Sequence, residues 1–326
     1  MARQLSRRTA LSGLSAALLT GCTSSVLGAP LPAPSGSETP SPPPAPSVTV
    51  NTANGPVVVP GAPLRVVTLD TAELDSAMTL GITPVGAARA PADQGLPDYW
   101  SASRLAEIAG VGVIGGPDPM LIGALRPQLI LSNRTRDAAH YDTLGRIAPT
   151  VLTETTGYPW KADFQLHAQA LGREDAAAAV IAAYGRHVAQ TVASIAAAGA
   201  GGKRISIVRF VEGSPTVRLY GKQSFIGTLL ADLQLHRPDA QNIDAFDVEI
   251  PPDQIAKADG DFLFYSTYGA PARTPTTATL TTPAWTALGA VRAHHAFPVD
   301  DQLWFEGIGY TGANLILAEL QRFLGG

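Results

Sequence analysis

Arginines and large aromatic residues recur just past short β-rich runs in this chain. Arg134 and Arg136 follow Leu129-Ile130-Leu131-Ser132, and Trp160 comes after Thr150-Val151-Leu152. Arg209 follows Ile205-Ser206-Ile207-Val208, Tyr265 and Tyr268 close the run begun by Phe262, and Trp304 comes after Ala296-Phe297-Pro298-Val299. A guanidinium presents a planar fork of donors to charge-dense oxygens. Tyr and Trp rings add stacking faces at little entropic cost. Together they suit holding a small oxygen-rich molecule with an apolar shell. Arg209, beside Ile and Val residues, needs a partner; a bound anion is one, and a carboxylate such as Glu212 is another. Arg134 and Arg136 are open to a second reading as solvated surface charges. Trp160 could staple a helix start, Trp304 could be core, and Tyr220 in Leu219-Tyr220-Gly221 fits a pocket or a turn. Trp285 reads as core, at helical spacing from Leu288.

Other chemistries find little support. The chain has no Gly-x-Ser-x-Gly elbow, no Gly-x-x-x-x-Gly-Lys loop and no Cys-x-x-Cys. Gly110 to Gly115 is glycine-rich like a dinucleotide fingerprint, but Gly116-Pro117-Asp118-Pro119 follows in place of a helix. Asp300-Asp301 reads as a turn. Of the 6 His, only His294 and His295 are adjacent, so they read as surface residues and no metal site or cofactor is expected. A net charge of −4 and 15% charged residues argue against nucleic-acid binding.

The N-terminus carries its own signal. Arg3, Arg7 and Arg8 precede a short apolar run that ends in Leu19-Thr20-Gly21-Cys22. A basic patch, a short apolar stretch and small residues make residues 1–22 a secretory signal peptide. Ser6-Arg7-Arg8-Thr9-Ala10-Leu11 resembles a twin-arginine signal. Leu19-Thr20-Gly21-Cys22 resembles a lipobox, which makes Cys22 the lipidated residue. Cys22 is the only cysteine, so the exported part has no disulfide. Residues 23–63 are rich in Pro, Ser and Ala and read as a disordered tether, with Val57-Val58-Val59 as a short edge strand before the body proper. About 35 extended residues could reach on the order of 100 Å.

The positioning elements follow from periodicity. Strands are expected at 65–69, 82–86, 129–132 and 150–152, with helices between them from Thr71 and at 120–125 and 141–147. The order returns with strands at 205–208, 262–265 and 296–299 and helices at 224–233, 251–258 and 285–291. Ile122, Leu125, Leu129 and Leu131 recur as Ile255, Ala258, Phe262 and Phe264 at constant offset. Alternating strands and helices predict α/β lobes with parallel sheets, and the recurrence predicts two of them. Between the lobes, residues 160–171 and 174–198 read as helices. The second, about 25 residues at 1.5 Å per residue, is a rod of roughly 37 Å. A packed rod resists wide hinge motion and predicts a largely preformed cleft. In open α/β sheets ligands bind beyond the carboxyl ends of strands, where the arginines and aromatics fall.

The lipobox, the tether, Val66-Val67-Thr68-Leu69-Asp70, Leu125-Arg126-Pro127-Gln128-Leu129-Ile130-Leu131-Ser132 and the rod together resemble iron-siderophore ABC importer binding lipoproteins. Val208-Arg209-Phe210, Leu219-Tyr220-Gly221, Ser266-Thr267-Tyr268-Gly269 and Gly307-Ile308-Gly309-Tyr310-Thr311-Gly312-Ala313-Asn314 are similar to its actinobacterial FecB-like branch. The resemblance covers about residues 64 to 324. It implies the class III periplasmic-binding-protein fold, an α/β architecture of two Rossmann-like lobes bridged by one long α-helix: lobes at 64–159 and 203–326, bridge at 160–202. It implies a monomer held to the outer face of the cell membrane by lipid, which captures a ferric siderophore and docks on an ABC permease without breaking a bond. Arg209, Tyr268, Trp304, Arg134, Arg136, Trp160, Tyr220 and Tyr310 are then the expected ligand-binding residues, with the iron held by the siderophore. Alternative cargoes are heme, with Tyr268 or Tyr310 as axial ligand, and cobalamin. A cell-envelope scaffold or regulator without transport is a further alternative. Glu306, after Trp304-Phe305, puts an acid near the expected mouth and favours a hydroxamate or mixed chelate over a triscatecholate. The family docks through acids on each lobe; Ala139 stands where one is expected, near Asp137 and Asp142.

Overall fold

The computed structural model describes residues 46–325. Cys22, the signal segment and the tether up to residue 45 lie outside them. A hairpin comes first, β1 (Ser47–Thr52) and β2 (Gly55–Pro60), joined by Ala53-Asn54. Alternation along it turns Val50 and Val59 into the core and leaves Val58 exposed. Ala53 N donates to the Leu152 carbonyl at 2.9 Å, which docks the hairpin on the first lobe. The stretch expected to be tether up to Pro63 is therefore folded from Ser47 onward. The expected edge strand at Val57-Val58-Val59 is the middle of β2; the Pro-rich composition before it hid its partner β1.

The first lobe is a six-stranded sheet in the order β6-β5-β4-β3-β7-β8. Its strands are β3 (Val66–Thr68), β4 (Gly86–Arg89), β5 (Ala109–Val113), β6 (Gly116–Pro117), β7 (Leu129–Asn133) and β8 (Thr150–Thr153). All pairings are parallel except β5 with β6. The second lobe runs β11-β10-β9-β12-β13, from β9 (Ile205–Val211), β10 (Val217–Tyr220), β11 (Asp247–Ile250), β12 (Phe262–Tyr268) and β13 (Ala296–Pro298). Here β9, β12 and β13 pair parallel, while β10 alone is reversed and pairs antiparallel with both β9 and β11. The internal recurrence is visible: short helical segments Pro119–Ala124 and Pro252–Ala258 lead into β7 and β12, each sinking its isoleucine, Ile122 or Ile255, completely.

The expected strand at 82–86 begins later. Pro84 offers no N–H to a ladder, and the pairing starts at Gly86, where a Cβ would collide with Leu125 and Val111. Asp70, one residue before Thr71, caps the first helix, α1 (Thr71–Thr79), by accepting from Thr71 N at 2.7 Å. The expected helix at 285–291 is two turns, Pro283–Thr286 and Gly289–Arg292, broken at Leu288.

The bridge is α2 (Trp160–Leu171) followed by α3 (Glu174–Ala197), close to the expected spans. On α3 the buried residues are Ala177, Tyr184, Thr191 and Ile195, a narrow stripe seven, seven and four apart, as one helical seam requires. The stripe packs on α2 and on the last helix, α5 (Tyr310–Leu324); α4 (Phe225–Asp232) lies on the second lobe. One continuous hydrophobic cluster takes in Leu131 and Val151 of the first lobe, Tyr184 of the rod, and Ile207 and Phe264 of the second lobe. The lobes thus share a core and are not strung on a flexible link.

Polar contacts reinforce this joint. Asp75 on α1 accepts from Thr311 N at 3.2 Å and Gly312 N at 3.0 Å, the free donors at the start of α5. Gly309 is glycine because a Cβ there would run into the Asp75 carboxyl. Lys161 on α2 pairs with Asp232 on α4, which also accepts from Tyr184 Oη at 2.6 Å. His187 on α3 meets Asn314 on α5 at 2.7 Å. No helix among the described residues is long and apolar enough to cross a membrane.

Candidate functional site

The inner face of the second sheet supplies most of the site. Ile205, Ile207 and Phe264 of this face enter the shared core, whereas Val208, Phe210, Val217 and Leu219 pack on the outer side. Period-two alternation then puts Arg209, Arg218 and Tyr220 on the inner face with them. Arg209 and Arg218 are directly opposite in the β9–β10 register, and Arg218 is opposite Glu249 on β11. Two like charges opposite each other are unfavourable unless each is countered.

Both are countered. Arg209 donates from Nε to Asp301 Oδ1 at 2.9 Å and from Nη2 to Asp301 Oδ2, a bidentate pair, with Glu306 Oε1 3.5 Å away. Its guanidinium carbon lies 4.5 Å from the Tyr268 ring centre and 4.9 Å from that of Phe305. Nη1 donates to Tyr220 Oη at 3.4 Å. Arg218 reaches Asp247 at 2.6 Å and Glu249 at 2.7 Å. Across the cleft, Arg136 Nε donates to Asp70 Oδ2 at 3.1 Å.

These arginines surround a cavity of ≈ 240 Å³. Thr156, Gly157 and Arg136 wall it from the first lobe; Arg209, Arg218, Tyr220, Phe246 and Phe305 wall it from the second. A neighbouring open groove, ≈ 870 Å³, runs between residues 91–98 and Tyr268, Gln302 and Arg273. At that groove the lobes touch directly. Ala92 N donates to Tyr268 Oη at 3.0 Å, Gln302 Nε2 to Asp93 Oδ2 at 2.7 Å, and Asp98 N to Gln302 Oε1 at 3.0 Å.

The expected residues divide into three groups. Arg136, Arg209 and Tyr220 meet on the cavity wall. Tyr268 sits behind Arg209, on the groove side. Arg134 is an exposed partner of Glu154 at 3.1 Å and does not line the cavity. Three aromatic expectations are corrected. Trp160 is buried, with its ring edge-on to Tyr184, Phe225 and Tyr310 and its Nε1 donating to Thr228 Oγ1 at 2.9 Å. Tyr310 belongs to the same aromatic hub, packed against Phe164 and Tyr184, so it has no face for a cargo or for heme iron. Trp304 borders the cavity, but its ring is fully buried, stacked on Phe264 at 4.9 Å, and its Nε1 donates to Glu319 at 2.6 Å. In each case a bulky ring beyond a strand end serves the joint between elements. Trp285 is core, as read from its spacing with Leu288.

The partner of Arg209 is also corrected. Glu212 is taken by Arg273 and by Ala270 N, and the side chain of Arg209 is only 11% exposed against Asp301 and Glu306. Asp300-Asp301 is more than a turn, since Asp301 also accepts from Ser266 Oγ. Glu306 is buried, and burial first, then the Asp93 carboxylate, pushes its pKa up to about 9. It therefore holds its proton at neutral pH and adds no charge at the mouth. Arg218, Phe246 and Phe305 were missed by sequence reading. For Arg218 a signal existed in Val217-Arg218-Leu219-Tyr220, an alternating strand that puts Arg and Tyr together on one face.

Two smaller expectations also change. Asp137, one of the acids near Ala139, is fully buried and is used by Ser132 Oγ and by His140 at 3.0 Å. His167 is not at the surface; its Nδ1 meets Ser76 Oγ at 2.9 Å in the first-lobe core. No group of three or more potential metal ligands exists among the described residues.

Comparison with known proteins gives the same picture. Residues 66–303 match the family described as periplasmic binding protein. A curated relative, "Probable siderophore-binding lipoprotein YfiY" of Bacillus subtilis (strain 168), is 31% identical over 280 residues, 81% of this chain and 83% of that protein. "Fe(3+)-citrate-binding protein YfmC" of the same organism is 28% identical over 80% of this chain and 82% of its own length. The crystal structure of Staphylococcus aureus SirA complexed with staphyloferrin B superposes with a TM-score of 0.76 at 26% identity, covering 85% of this chain and 98% of that one.

Proposed function

The chain belongs to the periplasmic binding protein family, and we propose that it captures a ferric siderophore outside the cytoplasmic membrane and hands it to an ABC importer. The observation that carries this reading is the inter-lobe cavity walled by Arg136, Arg209, Arg218, Tyr220, Phe246 and Phe305. Guanidinium donors and aromatic faces converge there, with no nucleophile and base set to react. The protein's role is to hold and release; the iron stays with the chelate. A lipid on Cys22 keeps the monomeric body at the membrane, next to its permease.

Charge narrows the cargo. Each cavity arginine faces a carboxylate of its own: Asp70 for Arg136, Asp301 for Arg209, Asp247 and Glu249 for Arg218. The wall therefore offers directional donors with little net positive potential. A strongly anionic triscatecholate gains little from such a wall, whereas a hydroxamate or mixed chelate of low charge loses little by leaving water. The cavity of ≈ 240 Å³ is smaller than the roughly 300–1,000 Å³ of pockets for drug-sized ligands. Admission of cargo then parts the lobes at the Tyr268–Ala92 and Gln302–Asp93 contacts. The shared core keeps that motion small.

Titration of the chain with ferric hydroxamate, ferric citrate, ferric triscatecholate, heme and cobalamin, followed by tryptophan fluorescence, tests the reading. Saturable quenching by the low-charge ferric chelates, and weaker quenching by the triscatecholate, is expected. Tighter triscatecholate binding would end the charge argument. Saturation by heme or cobalamin alone would replace the cargo, and no saturation by any would leave a scaffold.

A further inference from the structure

The second lobe has a separate pocket of ≈ 490 Å³ that shares no lining residue with the inter-lobe cavity. Arg204, Lys222, His236 and Arg237 line it, with Asp261 as its one acid. Arg237 is the unusual member. It is 7% exposed, and its Nη2 donates to the Tyr220 carbonyl and to Gln241 Oε1 at 3.2 Å. Its Nε and Nη1 have no acceptor among the described residues, and none of their carboxylates pairs with it. By contrast Arg209 and Arg218, on this lobe's inner face, each have carboxylate partners. A buried charge without a counter-charge is costly, and buried unpaired donors add to that cost. Asp261 is engaged by Arg204 at 3.4 Å and by Arg204 N at 2.7 Å, and Lys222 pairs outward with the exposed Asp244 at 2.8 Å.

We propose that this pocket binds a small phosphate-type oxyanion, with Arg237 as the buried counter-charge and Lys222 and His236 as the outer donors. Several N–H donors on separate side chains fit an anion with several oxygens, and a cation excess favours a charged one. Burial lowers the Arg237 pKa to about 10, which leaves the guanidinium charged at neutral pH. The same chemistry has two sources, free phosphate or the phosphate of a lipid headgroup. This assignment does not depend on which cargo fills the cleft.

The test uses the full chain. Isothermal titration with inorganic phosphate is compared with chloride at equal ionic strength, and thermal unfolding is followed in both. Phosphate should bind saturably and raise the melting temperature with the logarithm of its concentration. Arg237→Gln should abolish this. Because Arg237 also holds the Tyr220 carbonyl, Lys222→Ala/His236→Ala serves as the variant that keeps the fold, with about tenfold or greater weakening expected from the loss of one ammonium and one imidazole donor. Co-sedimentation with phosphatidylglycerol and phosphatidylcholine vesicles, with and without free phosphate, distinguishes the sources. Binding to phosphatidylglycerol vesicles alone that the double variant loses assigns the headgroup. Phosphate effects equal to those of chloride, with no such vesicle binding, overturn the proposal, as does equal stabilisation of wild type and double variant.

Discussion

Replacing Arg209 separates what the arginine does for the fold from what it does for the cargo. In Arg209→Met, Asp301 keeps its place beneath Tyr268 and Phe305 but loses both Nε and Nη2. Asp301 is 13% exposed, so its charge is left stranded. Breaking a buried pair from one side costs about 3–5 kcal/mol. In Arg209→Met/Asp301→Leu both charges are gone and the volume is roughly kept, which is often close to neutral. The residual losses are Ser266 Oγ, which forfeits its acceptor at about 1 kcal/mol, the long 3.4 Å bond from Nη1 to Tyr220 Oη, and the cation–π contacts with Tyr268 and Phe305, about 0.5–2 kcal/mol. Glu306, protonated at neutral pH, adds no second stranded charge. The double variant should therefore recover at least half of the single variant's loss. Urea unfolding followed by tryptophan fluorescence measures both. The folded double variant should still bind a ferric chelate about 10–100-fold more weakly, the worth of one charge-assisted hydrogen bond of about 1.5–3 kcal/mol. A single variant as stable as wild type, or a double variant no better than the single, would refute the counter-ion argument. Unchanged affinity in the double variant would remove Arg209 from the binding wall.

Three further outcomes follow from the geometry. Arg136→Ala, at a partly exposed wall position, should weaken cargo binding about tenfold or more while shifting the urea midpoint little, because Asp70 keeps Asn133 Nδ2 at 3.1 Å and Thr71 N at 2.7 Å. Glu306 has a folded pKa of about 9 against 4.5 for its ordinary value, so between those values the folded chain holds a proton that the unfolded chain has released. Stability should fall as pH rises through this window. Between pH 7 and 9, above the raised pKa of Asp75 at about 6 and Asp163 at about 7, the Glu306 contribution is read as the difference between wild type and variant, because the buried Glu73 carboxyl, also raised by burial and by Asp70, adds the same slope to both; unfolding free energy measured over that range should decline more steeply in wild type than in Glu306→Gln. Trp160→Ala empties the aromatic hub and should cost about 3–5 kcal/mol; two unfolding transitions by calorimetry in place of one would show that this hub couples the lobes, and a single sharp transition would show that other contacts suffice.

Local patterns revealed the scaffold and part of the wall. The rod and the paired helix–strand units ending in β7 and β12 follow from apolar spacing and strand composition, whereas Arg209, expected just past its strand, stands inside β9 with two further residues paired beyond it. The cavity itself depends on pairings that no local pattern carries. Asp301 lies 92 residues from Arg209, and Arg218 meets Arg209 only once β10 folds back antiparallel. Trp160, Tyr310 and Trp304 misled for one reason: a large ring past a strand end can face solvent or the neighbouring lobe, and only the shared core decides. Of the hairpin only the Val57-Val58-Val59 strand was legible, because β1 stands next to the proline-rich stretch.

That hairpin changes how a pull would reach the body. Pro46 lies against Gly61, whose N–H donates to the Pro46 carbonyl, so the chain arrives at the point where it leaves for β3. Tension transmitted from upstream residues would act on the Ser47–Pro60 end of the ladder and open its rungs one after another, like a zip. Rungs loaded singly yield at small force, and the released strand adds slack. Ser47, Val48 and Thr49 peel before the buried Val50 is drawn from the shared core, so a small load is spent at the ladder's end before it reaches the cleft.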